Sequence, residues 1–150
     1  MTAYRTVVVG TDGSDSSLKA VDRAGAIAGD AGAKLVIVCA FYPNSGKDVH
    51  EAEKALKDEA YQVVGSAPAD DTLQTAADRA TEAGAKDISK RPVKGNPVEA
   101  LMQIVTDLDA DLLVVGNRGL NSLTGRLLGS VPSDAARKAE CDVLIVHTTR

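Results

Sequence analysis

A stretch rich in glycine and arginine, GNRGLNSLTGRLLGS, occupies residues 116–130 and contains no acidic residue. Its spacing is G-x2-G-x9-G-S, set by Gly116, Gly119, Gly129 and Ser130. Glycines allow positive φ and close approach of the backbone, so successive N–H groups can converge on an anion. A serine that caps the next helix adds the unpaired donors of that helix N-terminus. The pattern predicts a phosphate-binding loop, to which Arg118 and Arg126 add charged donors.

The length of this loop favours a binding role over a plain connection, and its sequence differs from two well-known phosphate-binding motifs. A plain strand-to-helix connection takes roughly 2 to 6 residues, and this one is much longer. It is not a Walker A loop, because Gly125 is followed by Arg126 and Leu127 instead of Lys and Ser or Thr. The first apolar run ends in GTDG at residues 10–13, which lacks the G-x-G-x-x-G fingerprint and makes a dinucleotide a less favoured ligand.

Asp12 follows the first apolar run and has two possible roles. An ionised carboxylate repels phosphate unless a metal lies between them, so ribose hydroxyls or a Mg²⁺ ion are its expected partners. Alternatively, Asp12, Ser14 and Asp15 only cap the following helix. The residues alone leave both interpretations open.

No catalytic set accompanies these loops. His50 and His147 are far from both loops in sequence, and no Ser-His-Asp or metal-ligand spacing occurs. Hydrolysis of a bound nucleotide requires a placed base, and no residue qualifies for that role. We therefore expect a binding protein without catalytic residues, with weak hydrolysis of a bound nucleotide as the open alternative.

The elements that must position these loops follow from hydrophobic patterning. Four short apolar runs, TVVVG, KLVIVCA, DLLVVG and CDVLIVH, begin at residues 6, 34, 111 and 141. Continuous hydrophobicity predicts strands buried on both faces of a parallel sheet. A weaker, alternating strand, DISKRPVK at 87–94, is predicted at an edge.

Helical patterns separate the strands. They begin near Ser14 and at Asn96-Pro97, and further helices are predicted over 47–64 and 69–83, whereas 43–50 has no readable pattern. Right-handed crossovers then predict one doubly wound α/β domain over residues 1–150. Ligands bind such sheets at the carboxyl ends of the strands, at the switch point. We expect the Asp12 and Gly116 loops to face each other there.

Composition excludes several partner classes. The chain has 17 Lys and Arg against 21 Asp and Glu, and a net charge of −4 argues against nucleic-acid binding. Neither a secretion signal nor an apolar run of ~20 residues is present, which favours a cytoplasmic protein without membrane contact. Cys39 and Cys141 fit no redox or zinc spacing and are expected to be buried thiols, too far apart for a disulfide.

Taken together, the motifs resemble those of the universal stress proteins along essentially the whole chain. The resemblance is carried by VVVGTDGSDSS, GNP at 95–97, LLVVGNRGL, LTGRLLGSVPS and CDVLIVH. The intact G-x2-G-x9-G-S spacing is typical of the nucleotide-binding branch of that family. Single-domain actinobacterial members of similar sequence include some that bind cyclic AMP.

The resemblance implies a three-layer fold of the adenine nucleotide alpha hydrolase type, with five parallel strands in the order 3-2-1-4-5 and dimerisation through the last strand. It implies a sensor, buffer or signalling role in stress response through cAMP, AMP or ATP, with Mg²⁺ reaching Asp12 only alongside ATP. Asp12 would contact ribose or metal, and residues 38–40 would line the adenine. The implied nucleotide site comprises Thr11, Asp12, Gly13, Val38, Cys39, Ala40, Gly95, Val114, Gly116, Arg118, Gly119, Arg126, Gly129, Ser130 and Val131.

Two positions depart from the family pattern. Pro132 stands where ATP-binding relatives often carry another donor, which favours a shorter phosphate portion, and Asn117 replaces a small hydroxyl residue with little expected effect. An ATP-pyrophosphatase would need S-G-G-x-D-S where this chain has GTDGSDSS, and a receiver module would need a lysine where it has VLIVHTT. A dimeric scaffold with an empty pocket is the remaining alternative.

Overall fold

The computed structural model describes residues 3–42, 66–118 and 130–148. Strands and helices alternate along these ranges: β1 (Thr6–Gly10), α1 (Asp15–Ala31), β2 (Lys34–Phe41), α2 (Ser66–Ala83), β3 (Asp87–Lys94), α3 (Pro97–Leu108), β4 (Leu112–Gly116), α4 (Ser130–Lys138) and β5 (Asp142–Val146). The helix predicted over 47–64 and the unreadable segment 43–50 lie outside the described residues.

All strand pairs are parallel, and the sheet has the order β3-β2-β1-β4-β5. Val8 pairs with Val36 on one side and with Leu113 on the other. The chain reverses its direction of travel across the sheet between β1 and β4, which makes the carboxyl ends of these two strands the switch point. The predicted doubly wound fold and strand order are confirmed.

Each central strand is buried on both faces, which explains its unbroken apolar sequence. Val7 and Val9 point toward α1 and α2, whereas Val8 points toward α3 and α4. All three side chains are 0% exposed. The two cores on either side of the sheet hold the carboxyl edge, and therefore the site, in place.

The edge strands differ from each other, and one sequence expectation was wrong. β3 is an edge strand as predicted, with Lys90 and Arg91 exposed. β5 was expected to be buried on both faces, but Leu144 and Ile145 are only partly buried, because β5 is the other edge. An apolar sequence indicates that a strand favours burial. It does not show whether the rest of this chain buries both faces of that strand.

Local signals mark the helix ends, and the helix start predicted at Asn96-Pro97 is confirmed. Asn96 caps α3, and its side chain accepts from the N–H groups of Val98 and Glu99. Gly32 ends α1 in the left-handed conformation with φ 64°. Lacking a Cβ, glycine takes this conformation without strain, so the chain turns directly from α1 into β2.

Candidate functional site

The loops after β1 and β4 lie side by side at the carboxyl edge of the sheet. Val9 pairs with Val114, so Gly10 and Gly116 end adjacent strands. The N–H of Thr11 donates to the carbonyl of Val38 at 2.9 Å, which ties the first loop to the end of β2. The structure therefore brings the ends of three neighbouring strands together, as the sequence predicted for the two loops.

The loop after β1 uses its own side chains to satisfy its backbone. The N–H of Gly13 donates to Thr11 Oγ1 at 3.1 Å, that of Asp12 donates to Ser17 Oγ at 3.3 Å, and that of Ser14 donates to Asp12 Oδ1 at 2.9 Å. Gly13 has φ 87°, a conformation that favours glycine. Because these N–H groups are already paired, the loop is built to present Asp12 and not to cradle an anion.

Ser17 was missed by the sequence analysis, although it orders this loop. Its hydroxyl donates to the carbonyl of Ser14 at 3.0 Å and lies 2.8 Å from Thr11 Oγ1. Since the Ser17 proton is used on Ser14, the Thr11 hydroxyl donates to Ser17. Ser14 caps α1 by accepting from the N–H of Ser17 at 3.2 Å. The first turn of α1 thus holds the loop after β1 in place through these hydrogen bonds.

The two carboxylate oxygens of Asp12 have different environments. The side chain is 3% exposed, and Oδ1 accepts from the Ser14 N–H. Oδ2 is buried and has no hydrogen-bond partner among the described residues. An unsatisfied buried acceptor costs about 1–3 kcal/mol and more when charged. The capping interpretation therefore accounts for one of the two oxygens and not for the other.

The end of β2 contributes residues that point in opposite directions. Val38 packs on the α3 and α4 side, whereas Cys39 packs on the α1 and α2 side. Their side chains therefore cannot line the same face of an adenine, and Ala40, two residues beyond Val38, lies on the Val38 side. The predicted contact of residues 38–40 with adenine is compatible with Val38, Ala40 and the backbone.

Cys39 is a buried, neutral thiol. Its pKa is raised to about 12, first by burial and then by the negative charges of Asp12 and Asp70. A thiol with this pKa is protonated at neutral pH and is a poor nucleophile or metal ligand. Cys141 is also free but only partly buried, so the expectation of two buried thiols holds for Cys39 alone.

Two further predicted site residues lie apart from the loops. Gly95 ends β3 with φ 117°, and its N–H donates to the carbonyl of Phe41 at 2.8 Å. It is three strand spacings from β4, or roughly 14 Å at ~4.8 Å per strand. Val114 is 0% exposed in the core beneath the β4 loop. Gly95 is therefore not next to Gly116, whereas Val114 lies within β4, two residues before Gly116.

The turn after β4 is held by contacts that the sequence did not reveal. Gly116 is buried, and a Cβ there would lie 3.3 Å from Thr148 Cγ2 and 3.4 Å from Ser16 Oγ. Asn117 is also buried, and its Oδ1 accepts from both the N–H and the hydroxyl of Thr148. Close packing against Thr148 and Ser16 therefore favours glycine at position 116, independently of any phosphate contact. Asn117 has a structural role that the sequence analysis did not expect.

Much of the predicted phosphate loop lies outside the described residues, including Gly119, Arg126 and Gly129. Arg118, partly exposed, precedes that segment, and Ser130 begins α4 after it. α4 runs between two parallel strands, so its N-terminus lies at the carboxyl edge of the sheet. Val131 and Pro132, in its first turn, are buried. The unpaired N–H groups of such a helix start attract anions.

Metal-binding clusters and membrane spans were sought in the part of the chain that the structure describes. No three His, Cys, Asp or Glu side chains there converge on a point that could hold a metal ion. Within the same ranges, no helix combines the length and apolar character needed to cross a bilayer.

Comparison with known proteins gives full-length matches. The family model of the Universal stress protein family matches residues 3–147. Universal stress protein Rv1636 of Mycobacterium tuberculosis strain H37Rv is 56% identical over an alignment of 152 positions. The alignment covers 99% of this chain and 100% of that protein. A putative universal stress protein of Staphylococcus saprophyticus is 31% identical, over 99% of this chain and 86% of that protein.

A solved structure agrees with these matches. The crystal structure of a universal stress protein in complex with cAMP is 51% identical to this chain and superposes with a TM-score of 0.77. The match covers 99% of this chain and 100% of that one.

Proposed function

Because the chain belongs to the universal stress protein family, we propose that it binds an adenine nucleotide between the β1 and β4 loops, as a sensor, buffer or signalling module in the stress response. The observation that carries the proposal is the buried Oδ2 of Asp12, which lies at the switch point of the sheet and has no hydrogen-bond partner among the described residues. A ligand hydroxyl there would supply the hydrogen bond that the described residues leave unmade. The 51% identical structure with cAMP supports the same class of ligand.

The surrounding groups suggest how the nucleotide lies. Asp12 takes a ribose hydroxyl, because its charge disfavours direct contact with phosphate. The phosphate lies toward Arg118 and the N-terminus of α4, where a guanidinium charge and first-turn N–H groups without intrahelical partners favour an anion. The adenine extends toward the end of β2, beside Val38 and Ala40.

Pro132 bears on which nucleotide is preferred. It is the third residue of α4 and has no N–H, so the first turn of that helix offers one donor fewer to an anion. We therefore favour AMP or cAMP over ATP. Should ATP bind, a Mg²⁺ ion between Asp12 and the phosphates would offset their repulsion.

Equilibrium dialysis against cAMP, AMP, ATP and GTP, each with Mg²⁺ and with EDTA, tests the proposal. We expect a micromolar dissociation constant for AMP or cAMP, equivalent to about −8 kcal/mol. ATP should bind more weakly than AMP, and GTP should serve as the matched negative control. If no adenine nucleotide binds at millimolar concentration, the proposed function is wrong.

We propose that binding occurs without turnover. The described part of the site has one buried carboxylate at Asp12, and its second oxygen is assigned to ribose, which leaves no group placed to activate water. ATP recovered unchanged after overnight incubation with the protein would support this, whereas protein-dependent ADP release would favour weak hydrolysis.

We also propose a cytoplasmic location, where adenine nucleotides are abundant.

We also propose a homodimer formed through β5. Its Val143, Leu144 and Ile145 are apolar and only partly covered by the described residues, whereas the β3 edge carries exposed Lys90 and Arg91. Charged residues on an edge strand discourage pairing with another chain, and an apolar edge invites it. The apolar β5 edge is therefore the one expected to pair with a second chain, whereas the charged β3 edge is expected to remain unpaired.

Replacing Ile145 with arginine should convert the dimer to a monomer. Analytical ultracentrifugation of the wild type should give about twice the chain mass of 15.5 kDa, and the variant should give the single-chain mass. Ser89→Arg on the β3 edge is the matched control and should remain dimeric. A wild type that sediments as a monomer at tens of micromolar would contradict this assembly.

A further inference from the structure

We infer that Thr148, held by Asn117, is a positioning residue for the phosphate end of the site. The inference rests on the proposed function and names a residue outside every motif in the sequence. Thr148 lies two residues beyond the end of β5 and is 6% exposed. Residues near a chain terminus are commonly poorly ordered unless specific contacts hold them.

Four polar contacts hold Thr148. Its N–H donates to Asn117 Oδ1 at 2.9 Å, and its hydroxyl donates to the same oxygen at 2.8 Å. Its carbonyl accepts from Lys19 Nζ at 3.3 Å, and its hydroxyl is hydrogen-bonded to Ser16. Because the Thr148 proton is used on Asn117, Ser16 is the donor in that last bond. The hydrogen bonds thus run from Ser16 through Thr148 to Asn117.

This network encloses the last residue of β4. The N–H of Asn117 donates to the carbonyl of Val146 at 2.9 Å, so its backbone and side chain are both held by the β5 end. Gly116 has Thr148 and Ser16 within 3.4 Å of where its Cβ would be. The direction in which the chain leaves β4 toward Arg118 is therefore determined by α1 and by the C-terminal segment together.

The location of the network argues for a role beyond stability. A buried polar cluster is satisfied only in one arrangement, so it specifies geometry more than it adds free energy. This cluster lies at the carboxyl edge, one residue before Arg118, and the β1 loop that presents Asp12 has its own hydrogen bonds. Loss of the Thr148 hydroxyl should therefore loosen the Arg118 side of the site and leave the Asp12 side unchanged.

Thr148→Val keeps the shape of the side chain and removes its hydroxyl. We expect this variant to bind AMP about 5- to 10-fold more weakly, as the loss of one buried hydrogen bond would allow. Adenosine, which has no phosphate, should bind within about twofold of wild type, and Thr148→Ser should restore AMP affinity. Thr81→Val, which removes a hydroxyl bonded to the carbonyl of Ala77 on α2, is the matched control.

In the binding experiment, the inference would be overturned by equal losses for AMP and adenosine, which indicate a purely structural role, or by unchanged AMP affinity. Hydrogen exchange provides a readout that needs no nucleotide. Thr148→Val should accelerate exchange of the Asn117 amide, which donates to Val146, and leave the Thr11 amide protected. A wild type that binds no nucleotide would refute the proposed function and the phosphate role together, whereas unchanged Asn117 exchange refutes only the positioning.

Discussion

Replacing Asp12 with asparagine is expected to lower AMP affinity roughly 10- to 100-fold, the effect of losing a charge-assisted hydrogen bond of ~1.5–3 kcal/mol. The amide oxygen still accepts from the Ser14 N–H, so the cap of the loop is preserved. The amide nitrogen then takes the place of Oδ2, where it cannot accept a hydrogen bond. Isothermal titration calorimetry measures the loss directly.

The stability of the Asp12 variant distinguishes a ligand role of Oδ2 from a structural role of that oxygen. Because Oδ2 is buried without a described partner, removing its charge should leave the free energy of unfolding unchanged or raise it. Asp15→Asn, an exposed carboxylate in the first turn of α1, is the matched control and should bind AMP normally. Lower stability with unchanged AMP affinity would show that Oδ2 serves the fold and does not contact a ligand.

Nucleotide analogues and removal of Mg²⁺ distinguish the two roles proposed for Asp12, contact with ribose and contact with a metal ion. If Asp12 contacts ribose, AMP lacking the relevant hydroxyl should bind wild type and Asp12→Asn with equal affinity. If it acts through Mg²⁺ alongside ATP, the difference in ATP affinity between the two proteins should vanish in EDTA. Persistence of the full difference under both conditions would contradict both roles.

Replacing Gly29 with alanine is expected to destabilise the fold by about 2 kcal/mol, within the range for overpacking of a tight interface. A Cβ on Gly29 would lie 2.5 Å from the carbonyl oxygen of Gly84 and 2.8 Å from its carbon. Those atoms belong to the backbone at the end of α2, so relief requires moving one helix away from the other. The gain of ~1 kcal/mol in helix propensity from Gly to Ala only partly offsets this cost.

Urea unfolding followed by circular dichroism measures this change in the free energy of unfolding. Gly32→Ala is an informative control, because Gly32 has φ 64° and nothing within 4 Å of its Cβ position. Its cost is conformational, about 1 kcal/mol, and should be smaller than that of Gly29→Ala. A Gly29→Ala protein as stable as the wild type would show that α1 and α2 can separate without loss.

Most of the fold was predictable because its signals are local. Each central strand is apolar along its whole length, since helices cover both faces, and Asn96 and Gly32 mark helix ends through their own side chain or backbone conformation. The order of the strands was implied by the family resemblance and is confirmed by the pairing. The apolar sequence of β5 misled because hydrophobicity alone does not show whether a strand lies in the middle or at the edge of a sheet.

The candidate site was predictable only as two facing loops. Asp12 and the Gly116 turn were recognised from their types and their positions after buried strands, and the sheet order brings them together. The sequence could not separate a capping aspartate from a binding one. The structure assigns the capping role to Oδ1 and leaves Oδ2 without a partner among the described residues, which is the basis for the proposed contact with a ligand.

By itself, the sequence determined the alternation of strands and helices, the absence of a Walker or Rossmann motif and the two loops that end β1 and β4. Only the tertiary structure decided that Thr148, 31 positions from Asn117, holds the turn leading to Arg118. The physical reason is the range of the interactions. Hydrophobic period and helix caps involve residues a few positions apart, whereas a hydrogen bond between chain segments exists only after the sheet has placed its partners side by side.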